Sequence, residues 1–451
     1  MVSGPGKNES TKRLPGWRTP SFVLEAARDP IAAFSRWRAV HGDLMVVDLG
    51  WTRVHVLQHP DYARAVLVEK ADGFDKWAMR HIVSQILGRG LLTSLGREHK
   101  IQRRELAGSF GGRDFTRYAT TITKYAERLC REWPVDGPVD ISSDMGRLSV
   151  SVIAEILFDV DVWDEALELR HAIDTLTRRI LDVVVRHRVG ALAYKTSRFD
   201  SVIDSERVLA RFVTRVKQRH QERGAQPPNA LTHILKHEAN HAPNYARDQI
   251  VTLLVAGHET MAHALTWALL ALTTHEPEQK RIHAELDAVL KGRTPTEADI
   301  PLLTTPLQLF MESLRTSPPG WVFSRRVVRD NEILGHEVKA GDYVILSPYL
   351  LHRDDRFWID PLRFKPERFA VTANEPSHPF AFLPFSMGPR ACIAANMAKF
   401  EATLLLATLC QQFSFLPHGD TQQEELPRYT MKMNSNVYAR VVRRHAPQDS
   451  T

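Results

Sequence analysis

Cysteine is scarce in this chain of 451 residues, which contains only Cys130, Cys392 and Cys410. Three cysteines cannot form the disulfide framework of a small secreted protein, and their spacing excludes a CxxC zinc or redox site. We therefore expect the protein to reside in a reducing compartment.

Long apolar runs are also lacking. The opening residues, MVSGPGKNESTKRLPGW, contain no apolar run, so we expect neither a signal peptide nor a membrane anchor there. Elsewhere the chain has no stretch of about 18 uncharged apolar residues, the length that a bilayer span needs. These absences predict a cytoplasmic protein whose residues 1–20 form a flexible N-terminal segment.

The basic excess is small. The formal net charge is +6 and the pI is near 9.2, whereas nucleic-acid binding usually needs a concentrated basic face. One dense basic cluster runs from Arg97 to Arg104, and by itself it is typical of a solvated helix face. We expect no nucleic-acid partner.

Internal repeats, low-complexity blocks and Gly/Ser linkers are absent, although the length alone suggests about two or three domains. The apolar periodicity predicts mostly helix, and the longest helix is long enough to cross a whole domain. We therefore predict one large domain over residues 21–445, mainly α with small β-sheets. The predicted elements are a hairpin over 43–57, helical stretches over 60–158 (with breaks near Gly88 and Gly111), 166–223 (with a break near Gly190), 245–275, 278–290, 307–316 and 394–412, and strands over 327–333 and 343–347.

The most informative segment is Phe385-Ser-Met-Gly-Pro-Arg-Ala-Cys392-Ile-Ala394. A lone cysteine before an apolar helix is ordinarily a buried, inert side chain. This one follows a loop rich in Pro and Gly, at the start of a helix, where free N–H groups lower a thiol pKa and favour the thiolate that a metal needs. Arg390 adds a cation, and Ala394 and Ala398 leave room for a flat group.

The long helix contains a local conflict at Ala256-Gly-His-Glu-Thr260, where polar residues interrupt an apolar pattern. In one interpretation Thr260 bonds back to a carbonyl one turn earlier, which requires no function. A second polar motif, Glu312-Ser-Leu-Arg315, is ordinarily a surface ion pair, but Arg368 follows it in the sequence FKPERF.

Together these segments resemble the cytochrome P450 family. FSMGPRAC is similar to the family's cysteine loop, F-x-x-G-x-R-x-C-x-G, with Ala394 in place of the last Gly; AGHET is similar to [AG]-G-x-[DE]-T, and ESLR to E-x-x-R. The resemblance covers roughly residues 30–440. It implies a mainly α fold in which haem lies between the long central helix and the cysteine-loop helix.

The resemblance also implies residue roles. Cys392 would be the axial ligand to the iron of haem b, and Thr260 and Glu259 would bind dioxygen and relay protons. His99 and Arg103 occupy the positions of the family's propionate-binding W-x-x-x-R, and Arg325 is a further propionate ligand, with Arg326 as the alternative. The full implied sets are His99, Arg103, Ala256, Gly257, Arg325, Phe385, Arg390 and Ala398 for the cofactor, Glu312, Arg315 and Arg368 for a buried structural triad, and Trp77, Met79, Pro319, Val322, Phe323 and Met431 for the substrate pocket.

The implied reaction inserts one oxygen atom of O2 into a mid-sized hydrophobic molecule, such as a terpenoid, fatty-acyl or polyketide-like compound of secondary metabolism. The chain after Cys392 is too short for a flavin or iron–sulfur domain, so electrons are expected from a ferredoxin-type donor with its reductase. An acidic donor would suit the basic face of Arg97, Lys100, Arg104 and Lys399. We expect a monomer.

Three alternatives remain open from the sequence. A peroxide-driven haem-thiolate peroxygenase needs no reductase, and a haem-thiolate isomerase or dehydratase shares the fold and the ligand. The Glu259–Thr260 pair favours dioxygen activation over both. A haem carrier or sensor without catalysis is the alternative from another functional class.

Overall fold

A computed structural model describes residues 13–15, 25–26, 28–112, 115–189, 199–222, 228–419, 421 and 423–444, with the backbone alone described at 13–15, 179–189 and 199–200. The predicted flexible segment 1–20 therefore lies outside the described residues except for Arg13–Pro15. None of the described helices combines the length and the apolarity that a bilayer crossing requires.

Helices make up most of the described chain. In chain order they are α1 (Pro30–His41), α2 (Pro60–Arg64), α3 (Ser84–Leu87), α4 (Gly96–Leu106), α5 (Phe115–Glu132), α6 (Ile141–Phe158), α7 (Ala166–Val189), α8 (Phe199–Glu222), α9 (Ala230–His237), α10 (Tyr245–Thr274), α11 (Glu276–Leu290), α12 (Thr304–Thr316), α13 (Pro348–Leu351) and α14 (Ala395–Gln412).

The strands are short. They are β1 (Arg13–Pro15), β2 (Leu44–Asp48), β3 (Arg53–Leu57), β4 (Phe74–Asp75), β5 (Asp136–Asp140), β6 (Phe323–Val327), β7 (Asn331–Ile333), β8 (His336–Val338), β9 (Tyr343–Leu346), β10 (Phe413–Pro417), β11 (Glu425–Pro427), β12 (Met431–Met433) and β13 (Tyr438–Arg443). The predicted class, mainly α with small sheets, is confirmed.

The chain divides into two compact units. The first comprises Met1–Ala78 with Leu314–Cys392, and the second comprises Met79–Ser313 with Ile393–Thr451. The boundary falls inside α12. A single domain over 21–445 stays a prediction.

The first unit is built on a six-stranded sheet of order β1-β2-β3-β9-β6-β4. Its pairs β1–β2 and β3–β9 are parallel, and β2–β3, β9–β6 and β6–β4 are antiparallel. Alternate apolar side chains of these strands, among them Leu57, Val344 and Leu346, are fully buried in its core. The predicted hairpin over 43–57 is confirmed as β2 and β3.

The second unit is built around α10, whose residues from Ile250 to Val255 are all buried. A three-stranded sheet of order β10-β13-β5 and the hairpin β11–β12 complete it. Local sequence explains several helix starts: the Asp140 carboxylate accepts from the Ser143 N–H at α6, and Asn229 and Thr232 form a capping box at α9.

Some predicted boundaries were wrong. The predicted strand 327–333 is two strands, because β6 ends at Val327 and β7 begins at Asn331. Strand β5 lies inside the stretch 60–158 that was predicted as helical with breaks only near Gly88 and Gly111; its Gly137 and Pro138 disfavour helix, and it pairs with β13. The stretch 166–223 is the two helices α7 and α8; Gly190, the predicted break, and Arg223 lie outside the described residues.

Candidate functional site

The cysteine loop of the first unit is held by its own backbone. The Cys392 N–H donates to the Phe385 carbonyl at 2.8 Å, across a tight turn at Gly388–Arg390. Gly388 has φ +70°, and a Cβ there would overlap the Leu67 carbonyl oxygen. Both the positive φ and this close approach require glycine, so the loop geometry depends on that residue.

The accessibility of the thiols separates Cys392 from the other cysteines. Cys392 is exposed, whereas Cys130 and Cys410 are buried. Burial raises the pKa of the Cys130 thiol to about 12 and also raises the pKa of Cys410. A metal ligand must be a thiolate that the metal can reach, and of the three cysteines only Cys392 meets this condition.

The first unit contains a cluster of three cationic side chains: Arg325, Arg390 and Lys76. Arg325 is buried, and its burial, together with the Arg390 guanidinium, lowers its pKa to about 10. Burial is the main cause that lowers the pKa of Lys76 to about 7, and the positive charges of Arg325 and Arg390 lower it as well. The β4–β6 register agrees with the effect of Arg325 on Lys76. Phe74 pairs with Val327 and Asp75 with Arg326, so the same register continued by one residue past β4 would bring Lys76 opposite Arg325.

Like charges placed opposite each other on neighbouring strands are destabilising unless an anion lies among them. The carboxylates of a haem have the charge that this cation cluster suits. Lys76 was missed by sequence reasoning because no motif contains it, and its position depends on the β4–β6 register.

Arg325 and Arg326 are neighbours on β6, so their side chains lie on opposite faces of the sheet. The Arg326 guanidinium lies 5.7 Å from the centroid of the Trp77 ring, and Trp77 packs edge-on against Tyr343 at 6.2 Å. Arg326 and Trp77 therefore share one face of the sheet with Tyr343, while Arg325 is buried on the other. Of the other proposed pocket residues in this unit, Pro319 is buried, and Val322 and Phe323 are half-buried.

In the second unit, α10 has a small accessible face in an otherwise buried stretch. After the buried residues 250–255, Ala256 is exposed, and Gly257 and Thr260 are half-buried. Residues one turn apart lie on the same side of a helix, so Ala256 and Thr260 form one patch. Small accessible side chains in the middle of a buried helix indicate the wall of a cavity.

The polar residues of this helix have separate environments. The Thr260 hydroxyl donates to the Ala256 carbonyl at 2.8 Å, as the function-free interpretation predicts. A Cβ on Gly257 would come within 2.8 Å of Ile153 Cγ1 on α6, so close helix packing by itself explains this glycine. His258 is buried, and burial lowers its pKa to about 4, which keeps it neutral at pH 7.

Glu259 is paired with a lysine. Lys432 Nζ on β12 lies 2.6 Å from Glu259 Oε1 and 3.0 Å from Asp174 Oδ1 on α7. Burial alone would lower the pKa of Lys432, but the two carboxylates outweigh it and raise that pKa. Glu259 is thus held by a cation that also binds α7.

Helix α4 presents two kinds of basic residue. His99 is buried and Arg103, four residues on, is half-buried, so both lie on one side of the helix. Arg97, Lys100 and Arg104 are exposed.

On α14, Ala398 is half-buried, which leaves it accessible for contact with a cofactor.

The residues of the expected triad are buried charges. Glu312, Arg315 and Arg368 are at most 2% exposed. Within the first unit, Arg315 donates to the carbonyls of His352 and Pro361 at 2.9 and 2.7 Å. Arg315 and Arg368 also donate to the same carbonyl, that of Arg363, at 3.1 and 3.3 Å. These bonds fix the segment that precedes the cysteine loop.

Two of the expected pocket residues lie in the second unit. Met79 Sδ accepts a hydrogen bond from the Tyr429 hydroxyl at 3.7 Å, and Met431 is buried at the start of β12. Tyr429 was not among the predicted site residues.

The donor set fits a haem better than a site built from side chains. Among the described residues, no group of three or more His, Cys, Asp or Glu side chains is arranged to hold a metal ion. A single accessible thiolate therefore suits an iron whose other ligands come from a cofactor, and the cation cluster suits that cofactor's carboxylates.

Comparison with known proteins identifies the family. Residues 19–438 match the sequence profile of the family described as Cytochrome P450. Cyclooctatin synthase of Streptomyces melanosporofaciens is 30% identical, over 91% of this chain and 90% of that protein. Cyclooctat-9-en-7-ol 5-monooxygenase of the same species is 31% identical, over 84% of this chain and 83% of that protein. Pentalenene oxygenase of Streptomyces avermitilis is 28% identical, over 83% of this chain and 84% of that protein.

The fold is also found among solved structures. The crystal structure of CYP175A1 from Thermus thermophillus superposes with a TM-score of 0.77, at 24% identity, over 96% of this chain and 100% of that one. The chain therefore belongs to the cytochrome P450 family and is a haem-thiolate monooxygenase.

Proposed function

We propose that this enzyme inserts one oxygen atom of O2 into a terpenoid of moderate size, by hydroxylation, epoxidation or further oxidation. The names of the relatives, cyclooctatin synthase and pentalenene oxygenase, support a terpenoid. The apolar side chains of Met79 and Met431 in the second unit, and of Val322 and Phe323 in the first, suit such a molecule.

The observation that carries the proposal is the accessible patch of Ala256 and Thr260 within the buried part of α10. The patch offers space for a small molecule beside a hydroxyl. Glu259 directly precedes Thr260 in the helix, and its carboxyl group can help to supply protons to that hydroxyl. This is the arrangement that dioxygen activation requires, and peroxide-driven chemistry does not need it.

The cofactor in this proposal is haem b, which supplies dioxygen activation once a thiolate binds its iron. In the first unit, Cys392 would hold the iron, Phe385 would contact the ring, and Arg325, Arg390 and Lys76 would bind its carboxylates. In the second unit, Ala398 would contact the ring, and His99 and Arg103 would bind the carboxylates. Glu312, Arg315 and Arg368 keep the cysteine loop in place.

Proton supply is assigned to Thr260 and Glu259. The Thr260 hydroxyl, whose hydrogen is held by Ala256 O, would relay a proton by releasing this hydrogen towards the site while its oxygen accepts a proton from water, so the hydroxyl is restored. Glu259 would help to deliver these protons from water. The ion pair with Lys432 holds Glu259 between transfers.

Electrons come from a ferredoxin-type protein and its reductase in this proposal. The exposed Arg97, Lys100 and Arg104, together with Lys399, give α4 and α14 of the second unit a basic surface for an acidic donor. The monomeric state and the cytoplasmic location stay predictions.

Isotope labelling tests the proposal. The holoenzyme is supplied with a plant ferredoxin, its reductase, NADPH and a panel of cyclic terpenes under oxygen-18 gas. We expect products that carry one oxygen-18 atom from O2. Label incorporated only from added hydrogen peroxide would establish a peroxygenase instead, and a rearranged or dehydrated product without label would establish an isomerase or dehydratase. Failure to convert any compound with either oxidant would favour a carrier or sensor.

A further inference from the structure

Arg368 is a buried cation that binds backbone carbonyls of the first unit. Its side chain is fully buried, Nη1 donates to the Ile359 carbonyl at 3.0 Å, and Nη2 donates to the Arg363 carbonyl at 3.3 Å. Arg315 donates to the same Arg363 carbonyl. The two guanidinium groups also lie against one aromatic ring, 5.3 Å (Arg315) and 5.9 Å (Arg368) from the Trp358 centroid. Two positive charges are therefore held close together inside this unit.

Glu375 forms an ion pair with Arg368. Its Oε2 contacts Arg368 Nη1 and also accepts a hydrogen bond from the Ile359 N–H at 3.0 Å. Because Arg368 binds the carbonyl of Ile359, the ion pair holds both backbone groups of that residue. The Glu375 side chain is only 12% exposed, so water screens the pair weakly. Glu375 was not among the predicted site residues, because no motif contains it.

The charges of the expected triad do not balance without Glu375. Glu312, Arg315 and Arg368 bring one carboxylate to two guanidinium groups, and all three are at most 2% exposed. One buried positive charge would then lack a counter-charge, and an unpaired buried charge is far more costly than a paired one. Glu375 supplies the second carboxylate. A neutral acceptor in its place could satisfy the hydrogen bonds but not the charge.

The chain that Glu375 fixes leads into the cysteine loop. Further along this chain, the Leu383 N–H donates to Nε2 of the buried His352 at 2.8 Å. Within the loop, the Cys392 N–H donates to the Phe385 carbonyl at 2.8 Å. The chain is thus bound at the ion pair, before the loop and inside it, so a displacement at Glu375 is passed on towards Cys392.

We propose that Glu375 is a positioning residue for the haem-thiolate centre. It completes the triad with a second carboxylate and, through Arg368, holds the chain that carries Cys392. This inference rests on the proposed function, in which Cys392 is the iron ligand. In this role Glu375 contacts neither the cofactor nor the substrate, so its loss should weaken retention of the thiolate and leave substrate choice unchanged.

The spectrum of the ferrous–CO complex tests the inference, because its strongly red-shifted band reports the bond between iron and thiolate. The rate at which this band disappears is measured on the holoenzyme at one fixed, subdenaturing urea concentration. Glu375→Gln keeps the shape of the side chain but removes its charge, whereas Glu375→Asp keeps the charge. Glu367→Gln is the matched control, since Glu367 is exposed and directly precedes Arg368 in the chain.

We expect the band to disappear about tenfold to a hundredfold faster in Glu375→Gln, because a buried guanidinium loses its counter-charge. Glu375→Asp should lose the band more slowly than Glu375→Gln, and Glu367→Gln should match the unsubstituted enzyme. Loss of the band in Glu375→Gln at the rate of the control overturns the inference. A fall in thermal stability without faster loss of the band also overturns it, because Glu375 would then stabilise the fold without positioning the thiolate.

A double-mutant cycle covers the case in which Glu375→Gln does not accumulate as holoenzyme. Glu375→Asp and Arg368→Lys each keep their charge, and their rates of band loss are compared with that of the double variant. Residues that act as one unit have non-additive effects. We therefore expect the acceleration in the double variant to be smaller than the product of the two single accelerations. An acceleration equal to that product would show that Glu375 does not act through Arg368.

The unsubstituted enzyme separates failure of this inference from failure of the proposed function. If its ferrous–CO complex lacks the red-shifted band, the assignment of Cys392 as the iron ligand fails and this inference fails with it. If the band is present and the Glu375 variants behave as the control does, the role of Glu375 alone is overturned.

Discussion

Lys432 and Glu259 form an ion pair with an Nζ–Oε1 distance of 2.6 Å, and the same ammonium lies 3.0 Å from Asp174. One lysine therefore joins the hairpin β11–β12, helix α7 and the carboxylate that we assign to proton supply. The lysine side chain is 25% exposed. The positive charge of Lys432 offsets the repulsion between the carboxylates of Glu259 and Asp174.

Lys432→Met should leave Glu259 and Asp174 facing each other without a cation. We expect a loss of stability of about 1–3 kcal/mol, less than for a fully buried pair because the site is partly exposed. More hydrogen peroxide should be released per NADPH oxidised, while Lys432→Arg keeps the charge and should restore most of the coupling. Lys280→Met removes an exposed pair with Glu276 and serves as the control. Normal peroxide release in Lys432→Met would contradict the assignment of Glu259 to proton supply.

Cys392→His should abolish the strongly red-shifted absorption band of the ferrous–CO complex, because a neutral nitrogen replaces the thiolate. Cys130→Ala and Cys410→Ala are the controls, since both thiols are buried and burial raises their pKa values. Each control should keep the band and lose stability only through the small cavity that it creates. Loss of the band in either control would show that Cys392 is not the ligand.

Thr260→Ala should uncouple electron use from product formation. The substitution removes only a hydroxyl and a methyl group, so haem binding and the spectral response to terpenes should persist. Product per NADPH should fall by at least about tenfold, with a matching rise in hydrogen peroxide, because a proton-transfer group is lost. Thr260→Ser retains the hydroxyl and should keep much of the coupling. Unchanged product per NADPH in Thr260→Ala would rule out proton supply at this helix position.

Lys76→Met should have opposite effects on the apo and holo forms. Without haem, removal of a cation that faces Arg325 relieves repulsion, so the apoprotein should be at least as stable as before. With haem, loss of a charge-assisted hydrogen bond should accelerate haem transfer to apomyoglobin by roughly tenfold to a hundredfold. Lys339→Met, on an exposed side chain of the same unit, should change neither quantity. An unchanged transfer rate in Lys76→Met would remove Lys76 from the cofactor site.

Glu401 on α14 should make stability depend on pH. Burial raises its pKa to about 8 from the ordinary value of 4.5. Between these values the unfolded chain releases a proton that the folded chain retains, so stability falls as the pH rises through this window. The loss is complete above about pH 8 and amounts to at most about 5 kcal/mol. Glu401→Gln should be more stable than the unsubstituted protein at pH 9 and similar at pH 4. Glu276→Gln, at an exposed position, is the control; equal pH dependence of both variants would contradict the burial of Glu401.

Features that depend on neighbouring residues in the chain were predictable from the sequence. The cysteine loop is one example, because Gly388, Arg390 and Cys392 act within a single turn and a helix start. The long helix is another: its apolar periodicity predicted residues 245–275, and α10 spans Tyr245–Thr274. Local backbone preferences and apolar periodicity are written in consecutive residues, so they need no knowledge of distant contacts.

Tertiary structure decided the pairings between distant residues. Lys76 comes opposite Arg325 only through the β4–β6 register, Lys432 meets Glu259 only when the β11–β12 hairpin packs beside α10, and Tyr429 meets Met79 from the other end of the unit. Gly257 likewise proved to be a contact for Ile153 as well as part of a motif. The sequence by itself determined the family and the helical frame and predicted Cys392 as the ligand. The partners of the charged and polar groups were decided by packing, because separation along the chain carries no information about which side chains meet.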